Sequence, residues 1–564
     1  MAENILISLS VIIIISAILT VLARIIKQPP IIAYLLTGVI IGPLFLNLIV
    51  SESSELIQTF AHIGVAFLLF IVGLSLDLRV LKEVGKVSSI AGITEIIITG
   101  GIGFLIALGI GFSSLTALYL GAAIAFSSTV VVVKILSDKK EIDTLHGRIA
   151  LGILIVEDFV AAIALMLVPS FSKGTNLIVL LREFGIAIIL IVAILSLSTK
   201  VLSRFMDYLA RNQEVLFLFG IAWALALAVI FDKLGFSLEI GALIAGMSLA
   251  SSRYRLELEG KIKPLRDFFI ILFFVFFGSQ LAGVITPSLI KAAVLFSAFV
   301  VIGKPILVMT ILKIFGYKKR TNFLAGSSLA QISEFSLILT LLGFTLGHLS
   351  QEIMSLAVMI ALITIGISSY NIYYSHSIFN KISHLLFLFE GKKNYTKKEK
   401  EEKYDVLLLG YHRVGYKILK TLKELKVNFA VIDYNPKVVI ALGKERVNVI
   451  YGDAGDKNFL SEVPLDKTKL IISTIPDIGV NMSMRDRLKE IGSKAVFLAT
   501  AEQPRIANEL YKEGADYVIV PHHLGGDYVA NMIKKFGTRK EYYIAAGKKH
   551  HNELKKAKND SAFG

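Results

Sequence analysis

The chain has 564 residues, of which 55% are hydrophobic and 18% are charged, and its mean hydropathy is +0.70. A soluble protein of this length carries more charge, so the composition indicates a membrane protein with several spanning helices. The chain has no cysteine, which excludes structural disulfide bonds and thiolate metal sites.

Apolar segments long enough to cross a hydrocarbon core of about 30 Å recur from the N-terminus to about residue 380. The first is interpreted as a retained helix and not as a signal peptide, because no basic region precedes it and no small-residue cleavage site follows it. We predict about thirteen spans, at 5–26, 30–50, 58–76, 88–111, 116–137, 147–170, 178–203, 214–231, 235–252, 267–286, 288–315, 321–347 and 351–379.

Lysine and arginine are distributed unevenly between the predicted loops. The loops after the odd-numbered spans carry about 21 basic residues, and the other loops with the N-terminal tail carry about four. The positive-inside rule therefore predicts a multi-pass protein of the cell (plasma or inner) membrane with its N-terminus outside and its C-terminal part in the cytoplasm. Because the net charge of +15 follows this pattern, we expect the lipid bilayer, and not a nucleic acid, as its partner.

Two predicted spans contain polar residues where a continuous helix would be apolar. The fifth contains FSSTVVVV, and the twelfth contains AQISEFSL. Hydroxyl groups can bond freed carbonyls, so a helix can unwind at either place, although each hydroxyl could also bond its own helix. The two spans lie seven apart and cross the membrane in opposite directions. Corresponding interruptions in inverted halves indicate the binding site of a secondary transporter.

Two neighbouring acids, Glu157 and Asp158, lie in the middle of the sixth span, GRIALGILIVEDFVAAIALMLVP. An ionisable group at the midplane of a bilayer costs at least about 2.5 kcal/mol, so it indicates a functional site. A buried carboxyl group can bind either a proton or a cation, and Asp158 is our candidate for that group. Ser127, Ser128 and Thr129 are candidate oxygen ligands for a monovalent cation, with helix packing as the alternative role.

The character of the sequence changes after Asn380. A charge-dense linker at 381–403 separates the membrane domain, 1–380, from six short apolar strands that alternate with helix-length stretches over 404–540. This alternation predicts a doubly wound α/β, Rossmann-like domain with a parallel sheet. We expect residues 541–564, which are rich in lysine and asparagine, to form a mobile basic tail.

The membrane part resembles the cation:proton antiporter-2 superfamily, and the whole chain is similar to its Kef-type branch. The resemblance implies a polytopic all-α transporter with inverted repeats, in which crossed broken helices lie beside the ion site and a core domain moves against a dimerisation domain. It is carried by motifs in a fixed order, namely IIAYLLTGVIIGP (31–43), LLFIVGLSLDL (68–78), AIAFSSTVVVVKIL (123–136), GILIVEDFVAAI (152–163), GALIAGMSLA (241–250) and LAQISEFSLIL (329–339).

The resemblance also implies roles for single residues. Asp158 falls on the essential ion-binding aspartate of the family. Glu157 falls where Kef-type members usually have glutamine and where sodium antiporters have a second aspartate, and Lys304 falls near the lysine that pairs with that second acid. We therefore predict an ion pair between Glu157 and Lys304. If this ion pair persists, one proton is exchanged for each cation. If cation entry also displaces a proton from Lys304, two protons are exchanged for each cation and transport is electrogenic.

Two further polar residues complete the predicted membrane site, and a second role stays open for Glu157. The alternative for Glu157 is a protonated carboxyl that replaces the glutamine and takes no part in transport. Gln331 and Glu334 lie in the second break, and Glu334 either joins the ion site or holds the crossed segments together. Glu95 lies deep in the fourth span and is discounted.

The first strand of the C-terminal domain is followed by a partial dinucleotide-binding fingerprint, in which His412 replaces a glycine. The domain resembles the TrkA-N (RCK) regulatory module, which implies a regulatory nucleotide, AMP/ATP or NAD(H), and a homodimer. Because of His412, binding of no ligand is the alternative. The candidate nucleotide-binding residues are Gly410, His412, Arg413, Gly415, Asp433 and Asp453.

The sequence and the resemblance together predict an antiporter that exchanges K⁺ or Na⁺ for protons, is regulated by its nucleotide-binding domain and needs no cofactor for transport. The first alternative is an RCK-regulated cation channel or an uncoupled K⁺ efflux system, although the sequence has no filter such as TVGYG. The second is a membrane-tethered dehydrogenase, but no substrate domain follows the fingerprint. We therefore expect that the protein is not an enzyme.

Overall fold

The structure is a computed structural model of the chain. Its residues form two compact units, Met1–Lys392 and Lys393–Gly564. It describes residues 2–46, 51–75, 85–139, 141–142, 144–171, 206, 212–233, 238–250, 252, 254–281, 286–391, 404–411, 414–433, 436–452, 454–455, 459–460 and 463–560.

The first unit is helical. Within the residues just given, six helical stretches are long and apolar enough to cross a membrane, and four shorter apolar helices accompany them. The α-helices are α1 (Ala2–Ile25), α2 (Pro30–Ile41), α3 (Ser51–Ser75), α4 (Gly85–Ile110), α5 (Ser114–Ala125), α6 (Thr129–Asp138), α7 (Leu145–Phe171), α8 (Gln213–Lys233), α9 (Leu238–Leu249), α10 (Arg255–Ser279), α11 (Pro287–Ala298), α12 (Lys304–Ile314), α13 (Lys319–Ser328), α14 (Glu334–Thr345), α15 (Gln351–Tyr373) and α16 (Ser375–Ile382).

Each predicted span except the seventh overlaps one or two of these helices, and the seventh, at 178–203, lies outside the described residues. The tenth span differs most from its prediction. Apolar residues alone predicted 267–286, whereas α10 runs from Arg255 to Ser279. Its first turns are rich in glutamate, lysine and leucine, which favour a helix whatever their polarity. The helix therefore begins well before its apolar segment.

Helices α2 and α10 approach so closely that glycine is needed on both. A Cβ on Gly38 would lie 2.0 Å from Val275 O, and a Cβ on Gly278 would lie 2.0 Å from Leu35 O. Both distances are far below van der Waals contact, so no other side chain fits at either position. Small residues allow helix backbones to meet in this way in membranes. Both helices also contribute side chains to the walls of a cavity of about 580 Å³, which is described below.

The second unit contains a six-stranded sheet. The strand order is β3-β2-β1-β4-β5-β6, and every neighbouring pair is parallel. The direction of chain progression reverses between β1 and β4, which is where doubly wound sheets bind ligands. The predicted doubly wound α/β domain is therefore confirmed. Its strands are β1 (Val406–Leu409), β2 (Phe429–Asp433), β3 (Val449–Tyr451), β4 (Leu470–Ser473), β5 (Val496–Thr500) and β6 (Tyr517–Ile519).

Helices cover both faces of this sheet. Leu407 and Leu409 pack into the core on one face, and Val406 and Leu408 pack into the core on the other. This double burial explains why β1 is a continuous apolar run and not an alternating one. The helices of the second unit are α17 (Gly415–Glu424), α18 (Pro436–Lys444), α19 (Ile478–Glu490), α20 (Pro504–Lys512), α21 (Pro521–Phe536) and α22 (Lys540–Asp560).

Two segments differ from the predicted domain boundaries. The predicted linker, 381–403, begins within α16 and includes a 3₁₀-helix, Leu385–Phe389, that belongs to the first unit. Residues 392–403 lie outside the described residues. Most of the predicted mobile tail is helical, because α22 extends to Asp560 and is rich in lysine, glutamate and alanine, which are good helix formers.

Candidate functional site

The fifth and twelfth predicted spans are each two helices separated by a short extended segment. Helix α5 ends at Ala125 and α6 begins at Thr129, with extended backbone at Ser128. The Ser128 hydroxyl accepts a hydrogen bond from Val131 N at 3.3 Å, so it caps the new helix. In the twelfth span α13 ends at Ser328 and α14 begins at Glu334. The structure therefore contains both breaks that the polar residues predicted.

The two breaks contact each other through serine side chains. Ser127 Oγ donates to Leu329 O at 3.2 Å, and Ser128 Oγ donates to Glu334 Oε2 at 2.9 Å. Ser336 Oγ donates to Ala123 O on the opposite half-helix. The hydrogen bonds to Leu329 O and Ala123 O satisfy backbone carbonyls that the breaks leave without helical partners. The crossed arrangement of broken helices is therefore present.

Asp158 lies against this crossing and faces a cavity. Its Oδ2 accepts a hydrogen bond from Thr129 Oγ1 at 2.9 Å. Asp158, Thr129 and Glu334 line a cavity of about 580 Å³, whose other walls are mainly apolar side chains of α2, α3, α7, α9 and α10. Lys134 and Asp267 line the same cavity and are exposed. The cavity thus extends from the surface of the unit to a carboxyl group that a cation or a proton can reach.

Glu157 points away from this cavity and is fully buried. Its carboxylate accepts hydrogen bonds from the backbone N–H of Ser127 and, at 3.3 Å, from Ser127 Oγ. The predicted ion pair between Glu157 and Lys304 is wrong. Lys304 Nζ lies 3.5 Å from Glu95 Oε1 and donates to Ala125 O at 2.7 Å, at the C-terminal end of α5. Neighbours on a helix point about 100° apart, so the two acids face different helices.

Glu95 is the residue that the sequence reasoning missed. It lies in α4 and is fully buried beside Lys304. Its signal in the sequence was the same as that of Glu157, an acid within the long apolar segment ITEIIIT. No motif distinguished it, because the partner of an intramembrane lysine depends on which helix packs against it.

The two candidates from the second break occupy different positions. Glu334 accepts hydrogen bonds from Ser128 and, at 3.4 Å, from Ser333, and it lines the cavity, so it contacts both the first break and the cavity. Gln331 Nε2 donates to Ser328 O at 3.3 Å. Gln331 Oε1 is buried and has no hydrogen-bond partner among the described residues.

In the C-terminal unit, two glycines and Asp433 form the predicted turn after β1. Gly410 has a φ of +82°, and a Cβ on Gly415 would lie 2.2 Å from Gly410 O. Positions 410 and 415 therefore both require glycine, one for its positive φ and the other for its close approach to the backbone. Asp433 is the last residue of β2. Its Oδ2 accepts a hydrogen bond from Tyr411 N in this turn at 2.9 Å. His412, Arg413 and Asp453 lie outside the described residues.

Comparison with protein families gives two matches along the chain. The model described as "Sodium/hydrogen exchanger, transmembrane" matches residues 11–372. The chain belongs to the sodium/hydrogen exchanger family. The model of the TrkA-N domain matches residues 406–521. The protein is therefore a membrane exchanger with a C-terminal TrkA-N domain, and the resemblance seen in its motifs is confirmed.

Several curated proteins are similar to this exchanger over most of its length. It is 29% identical over 482 residues to "Putative cation/proton antiporter YbaL" of Escherichia coli (strain K12), covering 82% of this chain and 85% of that protein. It is 26% identical to the glutathione-regulated potassium-efflux system protein KefC of Klebsiella aerogenes, covering 84% and 76%. It is 32% identical to K(+) efflux antiporter 6 of Arabidopsis thaliana, covering 55% and 53%.

A second polar cluster of the exchanger unit joins the loop after α6 to the start of α16. Glu141 Oε2 lies 3.2 Å from His146 Nε2, and Glu141 Oε1 lies 3.0 Å from His376 Nε2 and 3.0 Å from Lys139 Nζ. Burial raises the pKa of Glu141, but hydrogen bonds from the two histidines and the charge of Lys139 outweigh it and hold that pKa well below the ordinary value. No motif in the sequence indicates this cluster.

The ligand atoms of this cluster lie within 4.8 Å of one another, as in a metal site. The surroundings do not suit a metal ion. Arg320 Nη2 lies 3.3 Å from His376 Nδ1 and donates to it, so the proton of this ring is on Nε2, the atom that would have to bind the metal. Lys139 already neutralises the carboxylate. The cluster is therefore an ion-pair network that joins the loop after α6 to α7, α13 and α16.

Proposed function

We propose that the protein is an antiporter that exchanges a monovalent cation, K⁺ or Na⁺, for protons, with Asp158 as the group that binds one or the other. One observation carries this proposal: the Asp158 carboxyl faces a cavity at the crossing of two broken helices. A carboxyl group that releases its proton when the cation binds couples the two fluxes, because it cannot hold both ligands together. The names of the related potassium-efflux and cation/proton antiporters agree with this activity.

The neighbouring oxygen atoms provide further ligands for the cation. Thr129 Oγ1 contacts Asp158, and the Glu334 carboxyl lines the same cavity. Hard cations prefer such oxygen ligands. Gln331 Oε1, in the second break, is also a buried acceptor without a partner in the described part of the chain, but Gln331 does not line the cavity. Ser128 acts indirectly, because its hydroxyl positions Glu334.

The cavity opens toward the cytoplasm in the proposed orientation. Lys134 and Arg266, which line it, belong to segments that the positive-inside rule places on the cytoplasmic side. The structure would then represent the inward-facing state of an alternating-access cycle, with the chain in the cell membrane, its N-terminus outside and its TrkA-N domain in the cytoplasm.

The TrkA-N domain acts in this proposal as the regulatory unit. The turn at Gly410 and Gly415 leaves room for a phosphate group, and Asp433 ends β2 where a ribose hydroxyl would bind. We propose an adenine nucleotide, AMP/ATP or NAD(H), as its ligand. Pairing of two such domains beneath a membrane homodimer would transmit the binding event to the exchanger units.

The test is transport by the full chain in proteoliposomes. An imposed K⁺ or Na⁺ gradient is expected to change the internal pH, and Asp158→Asn is expected to abolish this change. Asp138→Asn is the matched control, because Asp138 is exposed, pairs with Lys134 and lies outside the cavity lining. Cation conductance without a pH change would instead support a channel, and unaltered exchange in Asp158→Asn would overturn the assignment of the coupling residue.

A further inference from the structure

A cluster of three charged side chains is buried outside the cavity, on the other side of α7 from Asp158. Glu95 of α4, Glu157 of α7 and Lys304 of α12 are all fully buried, and none of them lines the cavity. A π-helical turn at Phe299–Gly303 immediately precedes Lys304, and such turns often occur at functional positions. The transport mechanism proposed above leaves these three groups without a role.

Most of the polar atoms in this cluster have partners. Glu95 Oε1 accepts a hydrogen bond from Thr99 Oγ1 at 2.7 Å and lies 3.5 Å from Lys304 Nζ. Lys304 also donates to Ala125 O, where its charge offsets the negative end of the α5 dipole. Both oxygens of Glu157 accept hydrogen bonds from Ser127.

One carboxylate oxygen of the cluster lacks a hydrogen-bond donor in the described part of the chain. Glu95 Oε2 is buried and has no hydrogen-bond donor within the described residues. The carboxyl groups of Glu95 and Glu157 interact with each other as side chains within hydrogen-bond range. Two carboxylate oxygens cannot bond each other without a proton between them. Without an added proton, the cluster would contain an oxygen with no donor among the described residues and two interacting carboxylate groups that can only accept hydrogen bonds.

The charges of the cluster also indicate that it binds a proton. Two carboxylates and one ammonium group would leave a net negative charge in a site without water access, and each uncompensated buried ion costs several kcal/mol. One added proton makes the cluster neutral and provides the missing donor. Lys304 and Glu157 are the charged groups that face Glu95 from the helices packed against it.

We propose that Glu95 and Glu157 form a second proton-binding site in which one proton is shared between the two carboxyl groups, with Glu95 Oε2–H donating to Glu157 and Lys304 balancing the remaining charge. This site is separate from Asp158. The proton is held by the cluster and is not exchanged for the cation, so Glu157 is a positioning residue that fixes the first break through Ser127.

Infrared spectroscopy of the purified full chain at neutral pH tests the shared proton directly, because a protonated carboxyl group has a carbonyl stretch that a carboxylate lacks. The measurements use an Asp158→Asn background so that Asp158 contributes no such band. Both Glu95→Gln and Glu157→Gln are expected to remove the same band, since the remaining carboxylate then pairs with Lys304. Asp138→Asn, at an exposed group that pairs with Lys134, is expected to remove none. If the band that one glutamine variant removes survives in the other, or if neither variant removes a band, the shared proton is overturned.

Thermal stability gives an independent readout. Each single glutamine variant keeps one carboxylate for Lys304 and supplies an amide donor, so its unfolding temperature is expected to stay near that of the parent. The double variant Glu95→Gln/Glu157→Gln leaves Lys304 buried without a counter-charge and is expected to unfold at a clearly lower temperature. Addition of Lys304→Met should restore it. A double variant as stable as the single ones, or a failed rescue, would contradict the proposed charge balance.

Transport gives a third readout, which rests on the proposed antiport. Glu157→Gln in the otherwise unaltered chain is expected to leave the charge moved per cycle unchanged. A changed dependence on membrane voltage would show that the shared proton is transported, and would overturn its proposed retention. If the parent chain shows no proton-coupled flux, the proposed function fails, while the infrared and stability measurements still decide whether the proton site exists.

Discussion

Thr129 Oγ1 and Asp158 Oδ2 are joined by a hydrogen bond of 2.9 Å, which connects the first turn of α6 to the middle of α7. Both residues line the cavity. The hydroxyl therefore orients the carboxyl group that we propose as the coupling site, and its removal should affect cation binding more than folding.

Thr129→Val is expected to weaken cation binding while leaving the protein folded. A hydrogen bond to a charged group is worth about 1.5–3 kcal/mol, so the cation concentration for half-maximal exchange should rise by about tenfold or more. Thr129→Ser keeps the hydroxyl and should remain close to the parent. Cation titrations of proton flux in proteoliposomes measure this effect, and equal behaviour of the two variants would show that the methyl group, and not the hydroxyl, is what matters.

Ser128 and Glu334 hold the two broken helices together, so their effects should be coupled. Ser128→Ala, Glu334→Gln and the double variant form a cycle around the 2.9 Å hydrogen bond. We expect the sum of the two single losses in the free energy of unfolding to exceed the loss in the double variant. The difference is the coupling energy, which should be about 0.5–3 kcal/mol. Thermal unfolding in detergent measures all four proteins. Strict additivity would mean that the contact does not stabilise the crossing.

Gly415→Ala should disrupt the turn of the TrkA-N domain. The new Cβ would lie 2.2 Å from Gly410 O, a backbone atom that cannot move aside, and such overpacking costs about 1–3 kcal/mol. Gly443→Ala in α18 is the matched control, because no atom lies within 4 Å of its Cβ. Calorimetric titration of the full chain with AMP, ATP and NAD(H) should show loss of binding only in Gly415→Ala. Binding in both variants would place the nucleotide elsewhere.

The ion-pair network at Glu141 predicts a pH-dependent contribution to stability. The pKa of Glu141 is lowered in the folded protein, so its stabilisation is complete above the unfolded pKa of about 4.3 and declines as the pH falls below that value. Glu141→Gln at neutral pH should lower the free energy of unfolding by about 1–3 kcal/mol. The difference from the parent should shrink below about pH 4. Unfolding temperatures measured across this range check the sign.

Glu445→Gln is the control for this experiment. Glu445 is about half exposed and pairs with Lys423 at 2.7 Å, and exposed ion pairs contribute about 0–1 kcal/mol. Its substitution should have a small effect at every pH. A Glu141→Gln protein whose stability deficit stays constant down to strong acid would show that the carboxylate charge is not what stabilises the network.

Local composition is enough to predict several features of this protein. Apolar length predicts the spans, alternating strands and helices predict the doubly wound domain, and hydroxyl groups next to valines or glutamate predict both helix breaks. The acidic pair at 157–158 was also visible in the sequence, because an acid in a long apolar segment is conspicuous wherever its side chain points.

The pairing of these groups depends on tertiary packing. Asp158 faces the cavity, and Glu157 bonds to Ser127 at the first break. The partner of Lys304 is Glu95, 209 positions away in the chain by their residue numbers. His376 meets Glu141 across 235 positions. Successive helix residues differ in direction by about 100°, and the direction that meets a given neighbour is fixed by the packing of whole helices, which no local pattern of residues records.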